Sequence, residues 1–319
     1  MPFISTFILL FLFSFTGFAL PSSSEAASLC SEVNLTTLRP RWSQGTTHMC
    51  YAFSVATLID QYRFSHGDKD FAHSTSPLLL ALRTIENFSD VGSSFVGGKV
   101  EHAVSAARQF GSCSAKIISD KLGPYSIDVL LKNLQLFYQR SLKDPKTKVA
   151  EKVYQFLKNS GLKLDELPVA SEIEKDLLLS QDEFITKILL SFCTDIKSLD
   201  NLPALKLLFQ PQVGSNQILD RIHNLLSAKI TLGINFCSNV VTNPTYKGGL
   251  KDNQWHCQDQ LNHSAVVVGR KMVNGQCQFL IQDTGCKGYE KKGFACQQDQ
   301  YWLEASQLLD NTHGIFWLD

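Results

Sequence analysis

The stretch SQGTTHMCYAFSVATLIDQYRF, residues 43 to 64, holds a thiol in a place where a thiol can do chemistry. A Gly-containing turn runs into Cys50, and apolar residues then recur at Ala52, Phe53, Ala56, Leu58, Ile59 and Tyr62, the spacing of a buried helix. Cys50 therefore falls on the first turn. Backbone N–H groups and the positive end of the helix dipole favour thiolate over thiol there, and the thiolate is the form that attacks a carbonyl carbon. Gln44, six residues upstream, offers a neutral amide donor able to reach the oxygen on which negative charge develops, beside the N–H of Cys50 itself. Nucleophile and oxyanion donors would then come from one short segment.

Taken alone, a helical Cys is most often a small buried hydrophobe. A catalytic one needs a His and an orienting group, which are neighbours in space and not in sequence. QGTTHMCYAFS resembles the active-site segment of the papain-like cysteine peptidases, with Gln44, Gly45, Cys50, Ala52, Phe53 and Ser54 in register and the aromatic Tyr51 after the Cys. LNHSAVVVGR is similar to the family's His strand and supplies His263; FLIQDTG resembles its Asn-bearing strand, with Asp283 where the Asn would stand. The three strings come in the family's order, and their joint occurrence carries the inference.

The resemblance covers residues 35 to 115 and 215 to 319. It implies an α+β, papain-like two-lobe fold, a helical lobe carrying Cys50 and a β-barrel-like lobe carrying His263, with the cleft between them. It also implies a catalytic set of Cys50, His263, Asp283 and Gln44, with no metal and no cofactor. Gly97 and Gly98 precede a helix with apolar residues at Val100, Ala103, Val104 and Ala107. By resemblance this Gly-Gly segment lies beside the cleft, where a missing side chain lets an extended peptide approach the main chain. Ser264, next to His263, joins Gly97 and Gly98 as a substrate-binding candidate.

Residues 3 to 20 carry no charge and are rich in Phe, Leu and Ile; with PSSSEAAS after them they read as a signal peptide over 1–26, although no Lys or Arg precedes the apolar run. An uncleaved anchor is the alternative reading. Secretion, or export to a periplasm, suits nine cysteines, and no second apolar span follows. With 30 basic and 30 acidic residues and no long run of one sign, nothing points to nucleic acid or an anionic membrane as partner. The expected partner is a protein or peptide substrate; the enzyme is born active, or the helical insertion or a protein inhibitor restrains it.

The chain after 27 reads as one peptidase domain interrupted at about 122–214 by a helical insertion. Three amphipathic helices are expected there, with Ser126 and Ser180 as N-caps, Glu183 completing a capping box, and Gly161 and Pro168 as breakers. The block is a structural appendage or a cap that narrows the cleft, with the cap slightly favoured. Ser76 caps a further helix, SPLLLALRTIENF. A Cys-rich hairpin is expected at 277 to 296.

The departures from the family matter as much. Eight cysteines remain beside Cys50, which allows four disulfides in 105 connectivities; spacings of nine and ten argue against a zinc site. Thr47 stands where the family has a half-cystine. Asp283 carries a charge where a neutral amide is usual, and Thr284, Gly285 and Cys286 follow it in place of the Trp that covers the His–Asn contact. His48 and Met49 add bulk before the nucleophile, and the chain between the signal peptide and Cys50 is too short for an inhibitory propeptide. A thiol acyltransferase or amidase on the same scaffold, or an inactive binding protein that keeps the cleft, are the other readings.

Overall fold

The computed structural model describes residues 30–36, 47–68, 73–88, 97–115, 127–159, 168–193, 195–251, 254–257, 262–290 and 296–319. The expected signal peptide, Gln44, Ser126 and Gly161 lie outside them. Helix α1 spans Cys50–Ser65 and buries Tyr51, Ala52, Phe53, Val55, Ala56, Leu58 and Ile59. A helix apolar on most of its circumference must be covered on most sides, and α1 is: it packs on the sheet, on α2 (Pro77–Asn87) and on α3 (Val100–Phe110). The Ser76 side chain accepts from the Leu79 N–H at 3.3 Å, and Pro77 opens α2 where its missing donor costs nothing.

Among the described residues between 122 and 193 there are four helices, one more than the three expected: α4 (Ile127–Ser141), α5 (Lys146–Asn159), α6 (Ala170–Asp176) and α7 (Gln181–Leu190). The extra helix, α6, has seven residues, too few for its period to register in the sequence; the Val169 N–H donates to Glu172 Oε2 at 3.2 Å and closes its first turn. The capping box at α7 forms as expected, with Ser180 N–H donating to Glu183 Oε2 at 2.9 Å and Glu183 N–H to Ser180 Oγ at 3.3 Å. Leu130, Leu134, Val153, Phe184 and Ile188 share one core with Leu78 and Leu82 of α2, so these helices belong to the core of the helical lobe. Pro168 lies in the break between α5 and α6.

The strands are β1 (Val33–Asn34), β2 (Ser112–Cys113), β3 (Ile196–Lys197), β4 (Leu205–Phe209), β5 (Leu232–Cys237), β6 (Gly249–Lys251), β7 (Gln254–His256), β8 (Asn262–Val273), β9 (Gln276–Gln282), β10 (Gln300–Glu304) and β11 (Thr312–Leu318). Seven form one antiparallel sheet in the order β10-β9-β8-β5-β11-β4, with β1 added beside β8. This half of the molecule was expected to resemble a barrel, and it is an open sheet ending at β10 and β4 among the described residues. Its second face is filled by Ile218 and Ile222 of α8 (Gln210–Ser227) and by Leu308 and Leu309 of the helix Ala305–Leu309, which leaves no lumen to close around.

Alternation along β8 divides the work of the two faces. Val266 and Val268 join the core of the helical lobe; Ala265 and Val267 join the second core. The hairpin expected at 277–296 has other bounds: β9 ends at Gln282, a turn and the helix Cys286–Glu290 follow, and the strand that returns along β9 is β10, from Gln300. Cys277 bridges to Cys30 and Cys286 to Cys296. Cys113–Cys193 and Cys237–Cys257 complete four disulfides. No helix among the described residues is long and apolar enough to cross a membrane.

Candidate active site

Cys50 is the first residue of α1, half-buried, and the free cysteine among those described. Met49 caps the helix without a side-chain bond, and no acidic residue sits in the first turn to compete with the sulfur. Burial pushes the Cys50 thiol up. The bond to His263, the His263 charge and the Ser264 backbone N–H outweigh it and bring the thiol below its ordinary value.

His263 and Asp283 come together although 20 residues separate them. His263 Nε2 lies 2.7 Å from Asp283 Oδ1, which leaves the other ring nitrogen for Cys50. Both are buried, at 9% and 1% exposure. The pleat explains the meeting: on β8, His263 shares the face of Ala265 and Val267, and Asp283, one residue past β9, continues the face of Phe279 and Ile281. Burial alone would lower the pKa of the imidazole, but the Asp283 carboxylate and the Cys50 sulfur hold it well above the usual value. Asp283 is likewise pushed up by burial and pulled below the carboxylate range by the His263 charge and bond, the Gly285 N–H and the Tyr301 hydroxyl.

Four residues around this pair were given no role in the site by the sequence reading. Tyr301 Oη–H donates to Asp283 Oδ2 at 2.8 Å, and the Gly285 N–H donates to Oδ1 at 2.7 Å. A Cβ at Gly285 would stand 3.1 Å from Asp283 Oδ1 and 3.5 Å from His263 Cε1, so the chain passes closest to the pair at a residue without a side chain. Tyr289 turns its ring edge-on to His263 at 6.4 Å and to Tyr301 at 5.9 Å, and Phe236 meets the other side of the imidazole at 5.7 Å. These rings lie against the His263–Asp283 pair. No local signal marks them, since Tyr289 lies in a disulfide-closed loop and Tyr301 in an ordinary alternating strand.

The three substrate-binding candidates lie near this centre in different ways. Gly97 N–H donates to the His48 carbonyl at 3.1 Å, which holds the Gly-Gly segment against the turn before Cys50. A Cβ on Gly98 would fall 2.4 Å from Cζ of the buried Tyr51 ring, so part of the reason for glycine here is packing. Ser264 Oγ–H donates to Asn235 Oδ1 at 2.5 Å, on the face of the sheet that Val266 and Val268 turn to the helical lobe. Gln44 cannot be placed, being outside the described residues.

No protein-family model matches the sequence, and no curated protein matches it. Its structure is similar to that of xylellain, a cysteine protease from Xylella fastidiosa, at 14% identity and a TM-score of 0.50, over 94% of this chain and 90% of that one. The chain has a papain-like fold. The digestive procathepsin L 3 of Tenebrio molitor larval midgut is more distant at a TM-score of 0.45 and 14% identity, over 91% of this chain and 70% of its own. The proform of the ragweed pollen cysteine protease Amb a 11 has a TM-score of 0.47 and 9% identity, over 90% and 64%.

Proposed function

We propose that this protein is a secreted or periplasmic cysteine peptidase that hydrolyses peptide bonds through Cys50, His263 and Asp283. The observation that carries the reading is the chain of contacts from a half-buried free thiol at a helix N-terminus to His263 and on to a buried carboxylate. Four disulfides support an oxidising compartment, and cleavage after a signal peptide over 1–26 belongs to the same proposal.

His263 takes the proton of Cys50, and the thiolate attacks the peptide carbonyl carbon. The oxyanion accepts from the Cys50 N–H and, by our proposal, from the Gln44 amide. His263, now cationic, protonates the leaving amine as the C–N bond breaks. Water, giving its proton to His263, then releases the acyl group from sulfur. Asp283 keeps the Nε2 proton aimed and stabilises the imidazolium. Gly97, Gly98 and Ser264 are proposed to line the path of the substrate, and the helices between 127 and 190 form an appendage of the helical lobe.

The test compares the mature chain with Cys50→Ala, using a thiol-directed epoxide and a mixed peptide library. Labelling and cleavage that both vanish in the variant support the peptidase. Labelling without peptide cleavage moves the assignment to an acyltransferase or amidase, and neither signal in folded protein leaves a binding protein.

A further inference from the structure

We infer that Tyr301 is a positioning residue matched to the carboxylate at 283, and that this match is why an Asp serves where papain-like peptidases carry an Asn. The inference rests on the reading of Cys50 and His263 as a thiolate–imidazolium pair. An ionised carboxylate only accepts hydrogen bonds. Asp283 is given three donors: the His263 ring and the Gly285 N–H on Oδ1, and the Tyr301 hydroxyl on Oδ2. Asp283 and Tyr301 are 1% and 3% exposed, so water cannot stand in for a lost partner.

Put an Asn at 283 and the inventory changes. Its oxygen must face both His263 and the Gly285 N–H, which cannot become an acceptor. The amide nitrogen then faces the Tyr301 oxygen, so the hydroxyl must turn and accept where it now donates, and a bond to a charged group is exchanged for a weaker bond between neutral groups. The Tyr301 ring has little freedom to adapt, because it is buried in the second core and crossed edge-on by Tyr289. The register puts the hydroxyl there: Tyr301 pairs with Ile281 across β10 and β9, two residues before Asp283 and on its face. Tyr301 thus acts on His263 only through Asp283. The titratable groups facing His263 are Cys50 from α1, Asp283 from the end of β9 and Tyr289 from the helix Cys286–Glu290; Phe236 of β5 is neutral.

The experiment measures the rate of Cys50 alkylation by iodoacetamide against pH, with kcat and KM alongside, for wild type, Tyr301→Phe, Asp283→Asn and the double variant. Alkylation reads the ion pair even if the chain cleaves no peptide, so loss of the peptidase reading and loss of this one are told apart. Tyr301→Phe is expected to lower kcat about tenfold, the size of one bond to a charged group, with KM unchanged. Its acid limb moves to higher pH, because Asp283 then gains a proton more easily. In the Asp283→Asn background the same change should alter the rate by less than about twofold. The inference is overturned if Tyr301→Phe leaves kcat and both limbs at wild type, or if the two effects multiply in full. Should Tyr301→Phe not fold, the wild type and Asp283→Asn labelled at tyrosine Cζ decide: the Tyr301 resonance titrates at lower pH in Asp283→Asn, and an unchanged titration overturns the assignment.

Discussion

Strand β8 serves two buried histidines and shifts their pKa values in opposite directions. His263, on the strand itself, meets a carboxylate; His223, on α8, meets Arg270 from the other end of the strand. Arg270 Nη1 donates to the His223 carbonyl at 2.7 Å and lies 3.2 Å from its Nδ1. Arginine only donates, so that nitrogen must be the bare one and the ring neutral. Burial and then the Arg270 charge push His223 down to about 4. Burial acts in the same direction on both rings, and the sign of the partner decides the outcome. One imidazole is kept ready to hold a proton beside a thiol, and the other is fixed in a clamp. Arg270 also donates to the Ser31 carbonyl at 2.9 Å and to Ser227 Oγ at 2.8 Å, and with Cys30–Cys277 it pins the segment carrying β1.

Removing the carboxylate is the hardest blow to the first site. Asp283→Ala leaves three donors facing an empty space, and kcat is expected to fall roughly 10²–10⁴-fold. Stability should fall by about 3 kcal/mol, from about 1–3 kcal/mol for each stranded donor with partial relaxation, as read by urea unfolding. The matching change in the second site, Arg270→Met, should cost about 3 kcal/mol by the same measurement, at about 1 kcal/mol net for each bond lost. It should leave kcat per folded molecule unchanged and let His223 titrate nearer its ordinary value, followed by histidine NMR. If Arg270→Met lowers kcat as far as it lowers stability, the two sites are one unit and the contrast is broken.

The smallest expected effect sharpens the comparison through pH. The folded pKa of His223, about 4, is below the ordinary imidazole value of 6.5, so between those values the unfolded chain binds the proton that the folded chain refuses. Stability therefore falls as pH drops from about 6.5 toward 4. His223→Gln should flatten that part of the urea midpoint profile; an unchanged slope would assign it to other groups. His263 has the opposite sign, since its folded pKa is raised: the stability it contributes is present at low pH and is lost as pH rises through that value.

Legibility followed the range of the interactions. The Cys50 helix, the Ser76 cap and the Ser180–Glu183 box could be read because each is written within one or two turns. Strand β4 was hidden inside a block of helical periodicity, since LKLLF becomes a strand by pairing with β11 more than a hundred residues later. The bounds expected for the hairpin at 277–296 missed for the same reason, since its second strand starts at Gln300. Cys277 has its partner at Cys30, at the far end of the described chain, and spacing among the late cysteines says nothing of that.

By itself the sequence determined where a nucleophile could stand, which strands would carry the His and the acidic residue, and that the fold would be papain-like with helices added. Helix periodicity, caps and strand alternation are local, and a chain of 319 residues states them in the open. Only the tertiary structure decided the charge of each buried histidine, the pairing of eight cysteines, and the tyrosine that answers the second oxygen of Asp283. Those depend on which residues the sheet register brings within 3 Å, and electrostatics in a buried site is settled at that distance.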